Sequence, residues 1–214
     1  MSRALLAGTT GLIGGHLLDR LLESDDYDLV TALTRRSLER SDPGLEELRV
    51  EFDRLDDVFG ERHFDDAFCS LGTTIRSAGS QLAFERVDFD YVVGFAEAAA
   101  RHGARRFFLV SAMGADAKSG VFYNRVKGRA EQAVSAVGFD AVHLFRPSLL
   151  LGDRREFRPV EKLMTPVARL LGPLLPGTLR RYRPIHADAV AAAMLAAARG
   201  TERGEVVHYF HDPE

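Results

Sequence analysis

Ala4-Leu5-Leu6-Ala7-Gly8-Thr9-Thr10-Gly11-Leu12-Ile13-Gly14 is the stretch that decides the fold. Its four leading apolar residues read as a buried strand. Glycines at three-residue spacing then open an amphipathic run. In that run Leu12, Ile13, Leu17, Leu18, Leu21 and Leu22 share one side, while His16, Asp19, Arg20 and Glu23 take the other. Strand, glycine turn and helix in that order let a pyrophosphate approach bare backbone at the positive end of a helix dipole. The spacing is GxxGxxG, one residue longer in its first gap than GxGxxG, and the strand–turn–helix context supplies what a glycine triplet alone lacks. The candidate dinucleotide contacts here are Gly8, Thr10, Gly11, Leu12, Ile13 and Gly14.

The same alternation continues outward. Short apolar runs at residues 4–7, 29–33, 48–52, 67–71, 107–110 and 141–145 predict strands. Helical patterns at 12–22, 84–101, 120–137 and 187–199 lie between or after them. That order predicts an α/β fold, a doubly wound, mostly parallel Rossmann sheet with helices on both faces. Only residues 152–184 break the style, being rich in proline and carrying eight basic residues against three acidic ones. The expectation is therefore one domain over residues 1–214, with 152–184 as a small substrate cap.

Composition sets the outer limits. The chain has 214 residues, 46% hydrophobic and 28% charged, enough apolar surface for a core and too much for disorder. A net charge of −3 lacks the basic footprint of a general nucleic-acid binder, so no nucleic-acid partner is expected. No apolar run is long enough to span a membrane. The lone cysteine, Cys69, cannot form an internal disulfide, which suggests a reducing, cytoplasmic setting. The histidines, including His208 and His211 near the end, lack ligand spacing, and no metal is expected. Oligomeric state is not legible.

Cofactor choice turns on the end of the second predicted strand. An NAD site places an acid there for the ribose hydroxyls. This chain has Thr34-Arg35-Arg36-Ser37, and a guanidinium can pair bidentately with a 2′-phosphate, so Arg35 and Arg36 favour NADP(H). Proton chemistry is suggested further on. Ser111 ends a predicted strand, and Tyr123 and Lys127 stand four apart on one helical face. An ammonium beside a phenol favours its ionised form, so Tyr123 is the candidate proton shuttle, Lys127 its partner, and Ser111 the holder of a substrate oxygen.

Together these residues resemble the short-chain dehydrogenase/reductase family in its extended or atypical form. Phe68-Cys69-Ser70-Leu71-Gly72-Thr73-Thr74, Arg86-Val87-Asp88-Phe89-Asp90-Tyr91, Phe122-Tyr123-Asn124-Arg125-Val126-Lys127-Gly128 and Phe145-Arg146-Pro147-Ser148 are similar to the branch around the Tat-interacting-protein oxidoreductase and its small bacterial relatives. The resemblance implies that Asp53 bonds the adenine and that Leu71, Gly72 and Thr73 line the nicotinamide side. It also implies that Arg146 and Pro147 form a turn beside that ring. One departure stands out: Asp88 falls where many members carry an active-site asparagine. The leading expectation is an NADP(H)-dependent oxidoreductase acting on a small carbonyl or alcohol. Two alternatives remain, an NADP(H)-holding regulatory protein with little turnover and a sugar-nucleotide epimerase or dehydratase.

Overall fold

A computed structural model describes residues 2–151 and 184–210. The expected cap at 152–184 lies outside the described residues except for Pro184. Seven strands form one parallel sheet in the order β3-β2-β1-β4-β5-β6-β9. In chain order these are β1 (Arg3–Ala7), β2 (Leu29–Thr34), β3 (Leu45–Arg49), β4 (Asp66–Cys69), β5 (Arg106–Val110), β6 (Ala141–Arg146) and β9 (Gly204–Tyr209). β7 (Leu150–Leu151) and β8 (Ile185–His186) make a separate two-stranded pair. The helices are α1 (Leu12–Glu23), α2 (Leu55–Phe59), α3 (Ile75–Ala78), α4 (Gln81–Glu85), α5 (Tyr91–Arg101), α6 (Phe122–Ser135) and α7 (Ala187–Ala198), with a π turn over Arg86–Asp90 joining α4 to α5. The chain order reverses between β1 and β4, the place where open α/β sheets bind ligands.

Side-chain alternation along the strands builds two cores. Leu5, Ala7, Ala67, Cys69, Phe107, Leu109, Val142 and Leu144 face one side and pack against α5 and α6 through Phe95, Ala99, Ala130 and Val134. Their neighbours Ala4, Leu6, Phe68, Phe108, Val110 and Phe145 face the other and meet α1 and α7 through Leu17, Leu21, Val190 and Met194. Both faces are apolar, which explains why the inner strands read as unbroken hydrophobic runs.

Two strand expectations are corrected. The third strand lies at Leu45–Arg49 rather than 48–52, because an edge strand has one half-open side and accepts charged residues whose carboxylates find partners. Glu46 accepts from Thr31 Oγ1 at 3.0 Å and pairs with Arg62 at 2.7 Å. The sequence reading assigned no strand to Gly204–Tyr209, where Val206 and Val207 are flanked by glutamate and histidine. β6 supplies its register, pairing Val142 with Glu205 and Phe145 with His208. The helical pattern at 84–101 is also divided by the π turn, with Asp88 inside it.

Candidate functional site

The glycine loop follows β1 directly. Gly8 has φ +89°, and a Cβ there would lie 2.5–2.6 Å from Ser70 atoms. A Cβ on Gly14 would meet the Gly8 carbonyl oxygen at 2.0 Å, so α1 rests against the turn without a side chain between. Ser70 was quoted in the sequence without a role. Its Oγ donates to the carbonyls of Ala7 at 3.0 Å and Gly8 at 3.2 Å, tying the end of β4 to the loop. Gly11 is the N-cap of α1 in extended conformation and has no side-chain cap, so the first amides of the helix are left for a ligand. Thr10 and Gly11 are exposed, Leu12 is half-buried, and Ile13 is buried into the core.

Arg35 and Arg36 are exposed immediately after β2. Glu47 of β3, unremarked in the sequence, shapes this turn: its carboxylate accepts from Thr34 Oγ1 at 3.0 Å and from the Leu38 amide at 3.2 Å. An acid therefore sits beside the turn after β2 with its oxygens engaged by that turn. Asp53 is exposed, and its Oδ2 accepts from Arg86 Nη2 at 2.7 Å, while the neighbouring Phe52 ring stacks on Tyr91.

The third group lies at the carboxyl ends of β4, β5 and β6. Ser111 is buried, and its Oγ has no hydrogen-bond partner among the described residues. Thr9 Oγ1 in the glycine loop is buried without a partner in the same way. Tyr123 on α6 lines a cleft of about 280 Å³ with Ala112, Met113, Pro147, Ser148 and Leu149. Lys127, one turn further along α6, is buried beside Asp88, with Nζ 2.8 Å from Oδ1. The contact is a close ion pair rather than an aligned hydrogen bond, since among the described residues no donor meets Oδ1 in hydrogen-bonding geometry. Burial works against the ammonium, but Asp88 foremost, together with Tyr123 and Cys69, holds Lys127 above the usual lysine range. Asp88 Oδ2 accepts from the Thr73 amide at 2.8 Å, so residues 71–73 are joined to the same pair. Gly128, next to Lys127, lets α6 close on the preceding loop, where a Cβ would meet Ala117 N at 2.2 Å.

Pro147 reaches the cleft, whereas the Arg146 guanidinium turns away from it. It donates to Glu131 at 2.9 and 2.6 Å and to Tyr209 Oη at 2.7 Å, joining β6, α6 and β9. Glu131 is buried and was not singled out from the sequence, since a lone acid on a helix carries no mark of burial. Burial pushes the Cys69 thiol up to about 12, which makes it a packed side chain. No group of metal ligands occurs among the described residues.

The glycine loop, the open helix end and the two unpartnered hydroxyls fit a dinucleotide. A family model described as NAD(P)H-binding matches residues 8–199. The chain belongs to the NAD(P)H-binding family. Rat Protein HTATIP2 is 40% identical over 162 residues, covering 74% of this chain and 66% of the rat protein's own length. Protein fmp52, mitochondrial, from Aspergillus niger is 32% identical over 213 residues, 96% of this chain and 91% of that one. Among solved structures, MoeE5 in complex with UDP-glucose and NAD superposes with a TM-score of 0.74 at 20% identity, covering 98% of this chain and 76% of that chain. UDP-glucose 4-epimerase from Thermotoga maritima gives a TM-score of 0.71 at 16% identity, covering 97% and 76% respectively. These likenesses show the expected mostly parallel Rossmann fold.

The expected cytoplasmic location is overturned. The relatives from Aspergillus niger and Eremothecium gossypii are named as mitochondrial proteins. A single unpaired cysteine excludes an internal disulfide and says nothing about which reducing compartment holds the chain. No helix among the described residues is long and apolar enough to cross a membrane.

Proposed function

We propose that this NAD(P)H-binding protein is an NADP(H)-dependent oxidoreductase acting on a small carbonyl or alcohol. The observation that carries this reading is the unpartnered Ser111 Oγ, buried at the end of β5 next in sequence to Ala112, which lines a cleft together with Tyr123. Leaving a buried hydroxyl unpaired costs about 1–3 kcal/mol, a cost removed when a ligand oxygen accepts from it. In this reading the first amides of α1 bind the pyrophosphate, and residues 71–73 support the nicotinamide half. The bound nicotinamide supplies or accepts the hydride. Ser111 holds the substrate oxygen by donating from Oγ. Tyr123 Oη then gives its proton to that oxygen during reduction, or takes it during oxidation. Lys127 orients the ribose and faces Tyr123 from one turn away. Arg35 and Arg36 are the expected partners of a 2′-phosphate, with Glu47 holding their turn in shape.

A panel of small aldehydes and ketones with NADPH tests the proposal. Tyr123→Phe keeps the ring and removes the atom that carries the proton, so turnover should fall by about 10²–10⁴-fold. NADPH affinity should change little, because the hydroxyl acts mainly in the transition state. No substrate-dependent oxidation above the Tyr123→Phe control would overturn the enzyme reading in favour of a cofactor-holding regulator.

A further inference from the structure

The buried stripe of the helical segment 81–101 runs through Phe84, Asp88, Val92 and Phe95. Three of these four are apolar. The fourth is a carboxylate only 1% exposed, set in a π turn, and such turns recur where a helix must aim one side chain into a site. Burying a carboxylate is costly unless it is paired and hydrogen-bonded, and both conditions are met here, by Lys127 and by the Thr73 amide. The pair lies directly against the backbone of the site. A Cβ on Gly72 would stand 3.3 Å from Asp88 Oδ1 and 3.6 Å from Lys127 Nζ.

We infer that Asp88 is a positioning residue whose charge, by cancelling that of Lys127, sets the relative affinity of the site for oxidised and reduced cofactor. The inference rests on the cofactor reading proposed above, in which residues 71–73 support the nicotinamide. The oxidised nicotinamide ring carries a positive charge that the reduced ring lacks. A lone buried ammonium beside that half of the site would therefore repel the oxidised form and leave the reduced form unaffected. With Asp88 in place the pair is neutral in sum, and both forms are tolerated. The raised affinity of Lys127 for its proton agrees with an ammonium that keeps its charge at neutral pH. An asparagine at this position would keep the acceptor for Thr73 and lose the compensation.

The test is binding and needs no substrate. Dissociation constants for NADP+ and NADPH are measured by calorimetry and by fluorescence, on the unmodified protein and on Asp88→Asn. The expected result is that Asp88→Asn weakens NADP+ about tenfold more than NADPH, the size of a one-unit charge interaction. The double variant Asp88→Asn with Lys127→Met is neutral again, and its ratio should return to within about twofold of the unmodified protein. A merely structural role would weaken both forms by one factor, and that outcome overturns the inference. Should Asp88→Asn not fold, Lys127→Met carries the test with the opposite sign, favouring NADP+; an unchanged ratio there overturns the inference equally. If the unmodified protein binds neither form, the cofactor reading fails first and takes this inference with it.

Discussion

Gly11 and Gly14 stand three residues apart and are glycine for different reasons. Gly11 has φ −77°, a conformation open to any residue, and its missing side chain leaves the α1 amides uncapped. Aspartate is a favourable N-cap, but its Cβ would stand 3.1 Å from the Gly8 carbonyl oxygen, so the two effects oppose and Gly11→Asp should change thermal stability only modestly. The same carboxylate would occupy the phosphate position, and NADPH affinity should collapse. Calorimetric titration beside a melting curve reads both; affinity retained within about twofold would mean that the loop is only a turn. Gly14→Ala should behave otherwise. Its Cβ would meet backbone at 2.0 Å, which no rotamer can relieve, so α1 must shift. Overpacking of this kind costs roughly 1–3 kcal/mol, and here stability and binding should fall together.

Strands and helices differed in how plainly the sequence announced them. β1, β2, β4, β5 and β6 are buried on both sides, so their apolar runs place them within a residue or two. β3 and β9 lie at the sheet edges, where polar residues are allowed and register comes from the neighbouring strand. The glycine loop, Ser111, Tyr123 and Lys127 were legible as candidates because their spacing suits the proposed chemistry. The roles of Ser70, Glu47 and Glu131 were not, because each acts through a partner distant in sequence. β9 also supplies a pH test. His143 Nδ1 and His208 Nε2 lie 2.9 Å apart, and their rings are stacked between Phe108 and Phe145. Burial lowers both imidazoles below the ordinary range; His208 lowers His143 further, while Glu202 pulls both upward. Unfolded, each titrates near about 6.5. As pH falls below that value the unfolded chain binds protons that the folded chain refuses, so stability present above it is lost on acidification. The melting temperature should therefore drop more between about pH 7.5 and pH 5.5 than it does in His143→Phe, which keeps the stack without the titration. Equal slopes in the two proteins would remove His143 from any role in acid sensitivity.

The sheet holds its two ends to different tasks. At the amino ends of the strands, Asp66 is buried and fully partnered, accepting from Tyr27 Oη at 2.6 Å and from Arg106 at 2.7 and 2.6 Å. Arg106 also donates to the Ala198 carbonyl at 2.6 Å, fastening α7 to β5. The carboxyl ends, by contrast, carry the uncapped helix, the two unpartnered hydroxyls and the exposed arginines. That asymmetry is what ligand binding should compensate, and melting temperature integrates it over the chain. A ligand at a hundred times its dissociation constant stabilises by about 2.7 kcal/mol, which for a chain of this size is a rise of roughly 5–10 °C. NADPH should produce such a shift. Without a charge-assisted contact to the 2′-phosphate, worth about 1.5–3 kcal/mol, NADH should bind about ten- to a hundredfold more weakly. At the same concentration it should stabilise by about 0.4–1.4 kcal/mol, a shift of only about 1–5 °C. Replacing Arg35 and Arg36 together with alanine should bring the NADPH shift down to the NADH value. Because both guanidiniums are exposed, rising salt should narrow the gap in the unmodified protein as well. Glu47→Gln provides the control for geometry: it keeps one acceptor oxygen, which can serve Thr34 Oγ1 and the Leu38 amide, while removing a negative charge, so the NADPH shift should hold or grow. Equal shifts for the two cofactors in the unmodified protein would show that the arginines are solvated residues with no part in selection.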